Sequence, residues 1–275
     1  MGQKINPTIF RLGINKTWNT EYFESKKSEL PLYTFKNLEI KEYIQKFLSN
    51  NGLLMHNYKI QYNKSLINIY ISYFVPTDYK FKSVNNFQKI QNKNQFKEEL
   101  SINKFNESIG LFTSKRYKIN TVFQCINKNF NLLTLEEINF LKTRLALLKK
   151  FKNGDNFNFE ETFNLISAVV YNKNSSFLLS NFIGKKLKKI KKHNRFLSCI
   201  TRILELLIFS NFSKIKGIKI KISGKLNRAR RTKDKIIQIG DIPAQTINIS
   251  LDYSQTTVTH NPNGSLGIKV WIIEK

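Results

Sequence analysis

The chain of 275 residues carries 46 Lys and Arg against 19 Asp and Glu, a formal net charge of +27. A charge of this size attracts phosphate chains and argues against an ordinary soluble enzyme. No apolar run reaches the ~18 residues that a membrane span needs. The amino terminus resembles neither a signal peptide nor a transit peptide. We therefore expect a polyanion-binding protein that acts where it is made or whose import signal has been removed.

Two further features of the composition bear on origin and chemistry. The basic residues are mostly Lys, and Asn, Ile and Phe are also abundant, a bias that AT-rich codons produce and that indicates an AT-rich genome such as an organelle's. The cysteines, Cys125 and Cys199, and the three histidines lack metal-type spacing, which predicts free thiols and no metal site. No HExxH, GxSxG or P-loop sequence occurs. We predict no catalytic residues and no cofactor.

The amino-terminal half alternates between irregular and regular sequence. Residues 1–37 contain scattered Gly, Pro and charges and are predicted to form an extended arm. Apolar residues at helical spacing over 38–48, followed by Asn-Asn-Gly, predict a helix with its stop. Alternation over 58–62 and 66–74 predicts a pair of strands. Residues 76–130 are rich in Asn, Lys and Phe with weak periodicity, which predicts a partly disordered insertion.

The middle of the chain carries helical signals. A Thr-x-x-Glu capping box at 134–137 predicts a helix that ends at Gly154. The apolar run 165–171 is predicted to be a buried strand. Apolar stripes over 178–192 and 196–212 predict two more helices.

The carboxyl-terminal region alternates apolar and polar residues in three segments. This pattern predicts three strands, at 217–223, 246–253 and 266–273. Lys219, Lys221 and Lys269 fall on the polar face of these strands and are weaker candidates for phosphate contact. Trp271 is expected to pack or to meet a neighbouring protein rather than a base.

A strongly basic loop lies between the first two of these strands, and three of its residues are arginines within four positions. The guanidinium fork suits phosphate oxygens. We therefore predict a phosphate-binding loop, whose candidate residues are Lys225, Arg228, Arg230, Arg231 and Lys233. A merely solvated hairpin is the alternative.

The helix predicted over 178–192 presents a second basic feature. Four lysines share one of its faces, Lys185, Lys188, Lys189 and Lys192. Such a stripe repels itself, so an anionic partner would stabilise it, although a solvated face is the alternative. The apolar face is too narrow for a membrane-surface helix. Arg195 closes this basic run and is a further candidate for phosphate contact.

Segments at both ends of the chain resemble the universal small-subunit ribosomal protein S3 family, in colinear order and over about half of the chain. The segments that carry the resemblance are MGQKINPTIFRLGINKTW (1–18), FKNLEIKEYIQKFL (35–48), NKSLINIYI (63–71), GIKIKISGKL (217–226), IPAQTINISLDY (242–253) and LGIKVWI (266–272).

The resemblance implies an α+β protein in the head of the small ribosomal subunit. Its implied parts are an N-terminal arm (1–37), a degenerate KH-like α/β domain (38–195, with the insertion 76–130) and a C-terminal α/β domain (196–275) with a small, mainly antiparallel sheet. Implied partners are small-subunit rRNA, mRNA near the channel through which it enters, and neighbouring head proteins, with no cofactor, no membrane and no homo-oligomer. The arm residues then expected on rRNA are Gly2, Gln3, Lys4, Asn6, Pro7, Arg11 and Gly13.

The chain departs from the family pattern in two places. A KH domain clamps the nucleic-acid backbone with a GxxG loop, whereas 74–87 reads FVPTDYKFKSVNNF and contains no glycine. The family's helix at the mRNA entrance begins with paired basic residues after a Phe, whereas Phe196 is followed by Leu197 and Ser198, and only Arg202 retains charge. These departures weaken the expectation of a KH clamp and of mRNA unwinding.

The Lys and Asn bias, the degenerate KH-like domain and the absence of a presequence together predict a mitochondrially encoded member in the mitochondrial matrix. Two alternatives stay open at this point. An organellar nucleic-acid-processing enzyme, such as an intron-associated nuclease, would need a metal-binding carboxylate cluster that the sequence does not show. A free-standing KH-type RNA-binding protein would need the missing GxxG loop.

Overall fold

The computed structural model describes residues 5–76, 102–113, 116–127, 158–190, 193–210, 213–260 and 264–275, together with seven single residues between 136 and 148. The chain divides into two compact units. The first unit is Trp18–Cys125, and the second joins Met1–Thr17 with Ile126–Lys275. Each unit combines helices with a four-stranded sheet, which confirms the predicted α+β class. The division does not follow the predicted boundaries at residues 37 and 195.

The first unit is built on a mixed sheet with the strand order β1-β2-β3-β4. Its elements are β1 (Thr20–Glu21), α1 (Leu30–Asn50), β2 (Leu54–Tyr62), β3 (Leu66–Phe74), α2 (102–112) and β4 (Lys118–Cys125). The central pair β2 and β3 is antiparallel, and β1 and β4 add in parallel at the two edges. The predicted alternation of β3 is confirmed, since Ile67, Ile69 and Ile71 are buried while Tyr70 on the opposite face is 43% exposed.

Two predictions for the first unit need correction. The arm is shorter than 1–37, because α1 begins at Leu30 and tolerates Pro31 in its first turn, where the missing N–H costs no helical hydrogen bond. The predicted insertion also contains a structural strand, because β4 pairs with β3 residue by residue. The part of that prediction at 77–101 lies outside the described residues.

The second unit is built on an antiparallel sheet with the strand order β6-β5-β8-β7. Its elements are α3 (Phe159–Tyr171), α4 (Ser176–Lys189), α5 (His193–Ile208), β5 (Ile215–Gly224), β6 (Lys233–Gly240), β7 (Leu251–His260) and β8 (Gly264–Glu274). α4 packs on β7 and β8, α5 packs on β5 and β6, and α3 packs on both helices. A Cβ on Gly184 would lie 2.5 Å from Val258 Cγ2, so only glycine permits this approach of α4 to β7.

The second unit differs from the prediction in three elements. The run 165–171 is helical within α3, because a short apolar run fits a buried helix as well as a strand. β6 was not predicted, since its residues were assigned to the basic loop and its flank. β7 begins at Leu251 rather than 246. The capping box at 134–137 lies largely outside the described residues, although Glu136 and Phe140, which are described, are helical.

Candidate nucleic-acid interface

The basic loop joins β5 to β6 and is fixed to the start of α5 by a reciprocal pair of hydrogen bonds. The backbone N–H of His193 donates to Asn227 Oδ1 at 2.6 Å, and the backbone N–H of Asn227 donates to His193 Nδ1 at 3.3 Å. His193 is fully buried, and Asn227 has φ of 52°, a left-handed conformation that Asn tolerates better than most residues. Leu226 is buried beside it. The loop therefore has a rigid base.

The basic side chains of this loop are exposed above that base. Lys225, Arg230, Arg231 and Lys233 are exposed, and the side chain of Arg228 lies outside the described part of the chain. Cationic side chains on a fixed loop can meet phosphate oxygens with less loss of conformational entropy than on a mobile one. The structure thus places Lys225, Arg230, Arg231 and Lys233 where a polyanion can reach them.

α5 carries two more predicted arginines on an exposed face that begins next to the loop. Arg195 lies two residues after the anchored His193, and Arg202 follows at i+7 on the same exposed face, with Ser198 between them. Arg202 Nη1 donates to Glu205 Oε2 at 3.0 Å, a surface ion pair of small energy. The anchor therefore brings the start of α5, with Arg195, next to a loop that lies about 30 positions later in the sequence.

The lysine stripe occupies the last turns of α4. Lys185, Lys188 and Lys189 are exposed, and Lys192 lies outside the described residues. Partial burial, with a smaller contribution from the Lys189 ammonium, lowers the pKa of Lys185. Lys186 instead pairs with Glu161 at 2.5 Å on the inner side. Cations here complement the helix dipole, and the three exposed lysines form a continuous positive edge.

The arm contains the clearest correction among the predicted site residues. Arg11 is 2% exposed, and its guanidinium donates to main-chain carbonyls at four positions, namely Pro7 (2.8 Å), Ala244 (3.0 Å), Thr246 (2.7 Å) and Ile249 (3.2 Å). Arg11 is therefore an internal clamp, and the prediction that it contacts RNA is wrong for this structure. These bonds also hold 244–249 as an irregular segment, which explains why β7 starts late.

Other arm residues have local structural roles. Asn6 Oδ1 accepts hydrogen bonds from the backbone N–H and the hydroxyl of Thr8, and Gly13 takes a left-handed φ of 83° in a turn closed by Lys16. Lys16, another basic residue of the arm, pairs with Asp252 at 3.3 Å. Gly2, Gln3 and Lys4 lie outside the described residues. Asn6 and Pro7 stay candidates near the surface.

The sheet of the second unit also presents the predicted lysines of its polar face. Lys219, Lys221 and Lys269 are partly exposed, whereas the alternating Ile218 and Ile220 are buried. Lys221 pairs with Asp234 at 2.7 Å. The hydrogen-bonded pair that anchors the basic loop, His193 and Asn227, could not be found from the sequence. The two residues are distant in the sequence, and an Asn in a loop was the one local signal.

Neither a metal centre nor a membrane span appears in the part of the chain that the structure describes. No group of three or more His, Cys, Asp or Glu among those residues could hold a metal ion. No helix formed by them is long and apolar enough to cross a bilayer.

Comparison with known proteins gives matches along the chain. Residues 187–272 match the family model described as ribosomal protein S3, C-terminal domain. The chain is 30% identical over 181 residues to small ribosomal subunit protein uS3c of Euglena longa, covering 66% of this chain and 78% of that protein. It is 24% identical over 272 residues to uS3 of Pelagibacter ubique, covering 99% and 89%. It is 26% identical over 277 residues to uS3c of Emiliania huxleyi, covering 100% and 99%.

Proposed function

Because the chain belongs to the ribosomal protein S3 (uS3) family, we propose that it is built into the head of the small subunit and grips rRNA through its second unit. Proteins of this family are structural components of the small subunit and not enzymes, and their partners are rRNA and other ribosomal proteins. The observation that carries the proposal is the loop 225–232, in which exposed basic residues flank Asn227, and Asn227 is hydrogen-bonded to the buried His193.

Sedimentation of organelle extracts tests the proposal directly. The protein should migrate with small subunits and stay with them at high salt, because an assembled ribosomal protein is held by protein as well as phosphate contacts. Migration as a free protein in both low and high salt would overturn the proposal.

A triple variant tests the loop itself. Changing Arg228, Arg230 and Arg231 to Ala should weaken association with the subunit and lower the slope of log K against log salt, because fewer phosphates are neutralised. The matched control changes Lys26, Lys46 and Lys64 to Ala, three exposed lysines of the first unit. An equal weakening in both triples would mean that net charge, and not this loop, determines binding.

The finer position of the protein is a proposal supported by α5. We place the exposed face that bears Arg195 and Arg202 toward mRNA where it enters the subunit. Ser198 lies on this face between the two arginines and can be replaced by a photoreactive amino acid. Crosslinks to mRNA in programmed ribosomes support the placement, and crosslinks to rRNA alone contradict it.

The first unit is proposed to be a KH-like domain without its clamp. Its four strands, β1 to β4, form one mixed sheet, and the helices α1 and α2 belong to the same unit. The sequence 74–87 contains no GxxG. Restoring a GxxG sequence there tests the idea. A gain in binding of short single-stranded RNA supports a KH-like frame, and no gain contradicts it.

We further propose a mitochondrial location, which the Lys, Asn, Ile and Phe bias of the sequence supports. Ribosomes purified separately from mitochondria and, where the cell has them, plastids provide the test. Peptides of this chain should appear in the mitochondrial small subunit. Their appearance only in plastid ribosomes would overturn the location and leave the ribosomal role intact.

A further inference from the structure

The outward face of the second unit's sheet carries an ordered row of side chains. The register places Gln238, Lys219, Trp271 and Tyr253 side by side across β6, β5, β8 and β7. The ring centroids of Tyr253 and Trp271 are 5.3 Å apart with an interplanar angle of 48°. Lys219 Nζ lies 6.0 Å from the centroid of the Trp271 ring. Two aromatic rings and a cation thus form one continuous surface.

The next row along the strands adds charge to this surface. Lys221 and Lys269 are directly opposite each other on β5 and β8, and like charges in this position are unfavourable. Lys221 is partly compensated by Asp234, the one carboxylate at the outward positions of the described strand residues. An anion bound here would relieve the repulsion between the two lysines.

These side chains are accessible although they belong to a sheet. Lys219, Lys221, Lys269, Trp271 and Tyr253 are all partly exposed. The inward residues of the same strands, by contrast, are buried against the helices, as Ile220, Ile268 and Val270 show. Partly exposed aromatic rings among lysines differ from an apolar protein-docking face, because the cations favour an anionic partner.

We propose that this face binds an unpaired stretch of RNA, with bases stacked on Trp271 and Tyr253 and phosphates on Lys221 and Lys269. The inference rests on the RNA-binding role proposed above. Aromatic rings accept the π-face of every base, and lysines follow the backbone without reading sequence. This replaces the expectation that Trp271 meets a neighbouring protein.

Trp271 can report its own occupancy. The chain has two tryptophans, and Trp18 is 63% exposed in the first unit. The full-length variant Trp18→Phe therefore leaves Trp271 as the one tryptophan, and excitation selective for tryptophan reports its fluorescence alone. Titration with oligouridylate and oligoadenylate of about ten nucleotides, within the site sizes of single-strand binders, should quench this emission saturably. Unchanged emission with both oligonucleotides overturns the proposal.

Substitution of the ring separates stacking from folding. In the wild-type background Trp271→Ala should weaken oligonucleotide binding on the order of tenfold, while Trp271→Phe should restore most of the affinity because it keeps a stacking surface. Circular dichroism establishes that each variant is folded before binding is measured. Equal affinities for the Ala variant, the Phe variant and the wild type would contradict stacking.

The lysines are tested by the salt dependence of binding. The double variant Lys221→Gln, Lys269→Gln should lower the slope of log K against log salt by about 1.4, since each single-strand phosphate contact contributes about 0.7. The control Lys46→Gln, Lys64→Gln removes the same charge from exposed positions of the first unit and should leave the slope unchanged. An equal fall in both double variants would show that only net charge acts.

The outcomes distinguish this proposal from the ribosomal role. A wild-type protein that migrates with small subunits but shows no quenching by RNA refutes the stacking face alone. Quenching by RNA-free subunit proteins, in place of RNA, assigns the face to a protein partner and also refutes it. Quenching by RNA without migration with subunits refutes the ribosomal role and supports the RNA face.

Discussion

The first unit holds 16 Lys and Arg against 9 Asp and Glu, whereas the second holds 30 against 10. Seven of the eight arginines belong to the second unit, and Arg116 is the exception. Arginine gives bidentate contacts that lysine cannot give. The two units share one basic chain, yet the residues suited to phosphate recognition are concentrated in one of them.

The surfaces of the two units differ in the same direction. On α1 of the first unit, Leu32, Phe35 and Leu38 are 57–61% exposed, and exposed apolar side chains favour contact with protein. In the second unit, polar anchors such as His193 and Arg11 hold the chain segments that display or support basic residues. We therefore propose a division between the units, with protein contacts in the first and RNA contacts in the second.

The largest effect is expected from the aromatic core of the first unit. Phe105 is fully buried and lies 4.9 Å from Phe47 and 5.5 Å from Phe123, measured between ring centroids. Phe105→Ala should lower the free energy of unfolding by about 4 kcal/mol, measured by urea denaturation. RNA affinity of the folded protein should stay within twofold of wild type, because the basic loop belongs to the second unit.

The control for this variant is Phe23→Ala, whose side chain is 86% exposed in the same unit. It should change the free energy of unfolding by less than about 0.5 kcal/mol. A tenfold loss of RNA affinity in folded Phe105→Ala would break the division between the units, because it would place RNA contacts in the first.

The clamp in the second unit gives the next largest effect. Arg11→Met removes a buried guanidinium from backbone carbonyls and leaves them without their charged donor. We expect a loss of about 3 kcal/mol in the free energy of unfolding. Arg116→Met, at an exposed position of the first unit, removes the same charge and should change stability by less than about 0.5 kcal/mol. Similar stability of the two variants would contradict the clamp.

Arg11 also shows why part of the site could not be predicted. In the sequence Arg11 lies in a basic, glycine-containing arm, and these neighbouring residues favour an RNA contact. Its carbonyl partners lie up to 238 positions away, and no local pattern encodes them. The strand 66–74 was predictable because its apolar residues alternate with polar ones, and the apolar face is the face that packs in the core. The run 165–171 was not, since burial on all sides removes the periodicity that separates helix from strand.

A smaller effect is expected at the base of the basic loop. Asn227→Ala should cost about 1 kcal/mol, because the side-chain bond to the His193 N–H is removed and a left-handed φ disfavours Ala. Asn227→Gly removes the same bond but keeps the backbone conformation without strain. Thermal melts of both variants separate these causes. If the anchor positions the arginines, both variants should also weaken RNA binding, and unchanged affinity would show that the loop acts without it.

The smallest effect concerns the carboxylate on the proposed stacking face. A hydrogen bond from the Lys221 ammonium, followed by one from Ser223, lowers the pKa of Asp234. Because the pKa of Asp234 is lower in the folded state, the ionised carboxylate stabilises the fold at pH values above the unfolded-state pKa. This contribution is lost as the pH falls through the folded-state pKa. RNA that recruits Lys221 should weaken the pair and move the pKa of Asp234 back up. An NMR titration of the carboxyl carbons, with and without oligouridylate, measures this change.

Glu21 in the first unit supplies the matched control for that titration. Its pKa is lowered in the same way, by hydrogen bonds from Lys59 and then Gln61, and Lys59 Nζ lies 2.7 Å from Glu21 Oε1. RNA should leave the pKa of Glu21 unchanged while that of Asp234 rises, because only the second unit is proposed to offer its lysines to phosphate. Equal rises in the pKa of both carboxyls would mean that bound RNA acts through its general negative field. That result would contradict the proposed division between the two units.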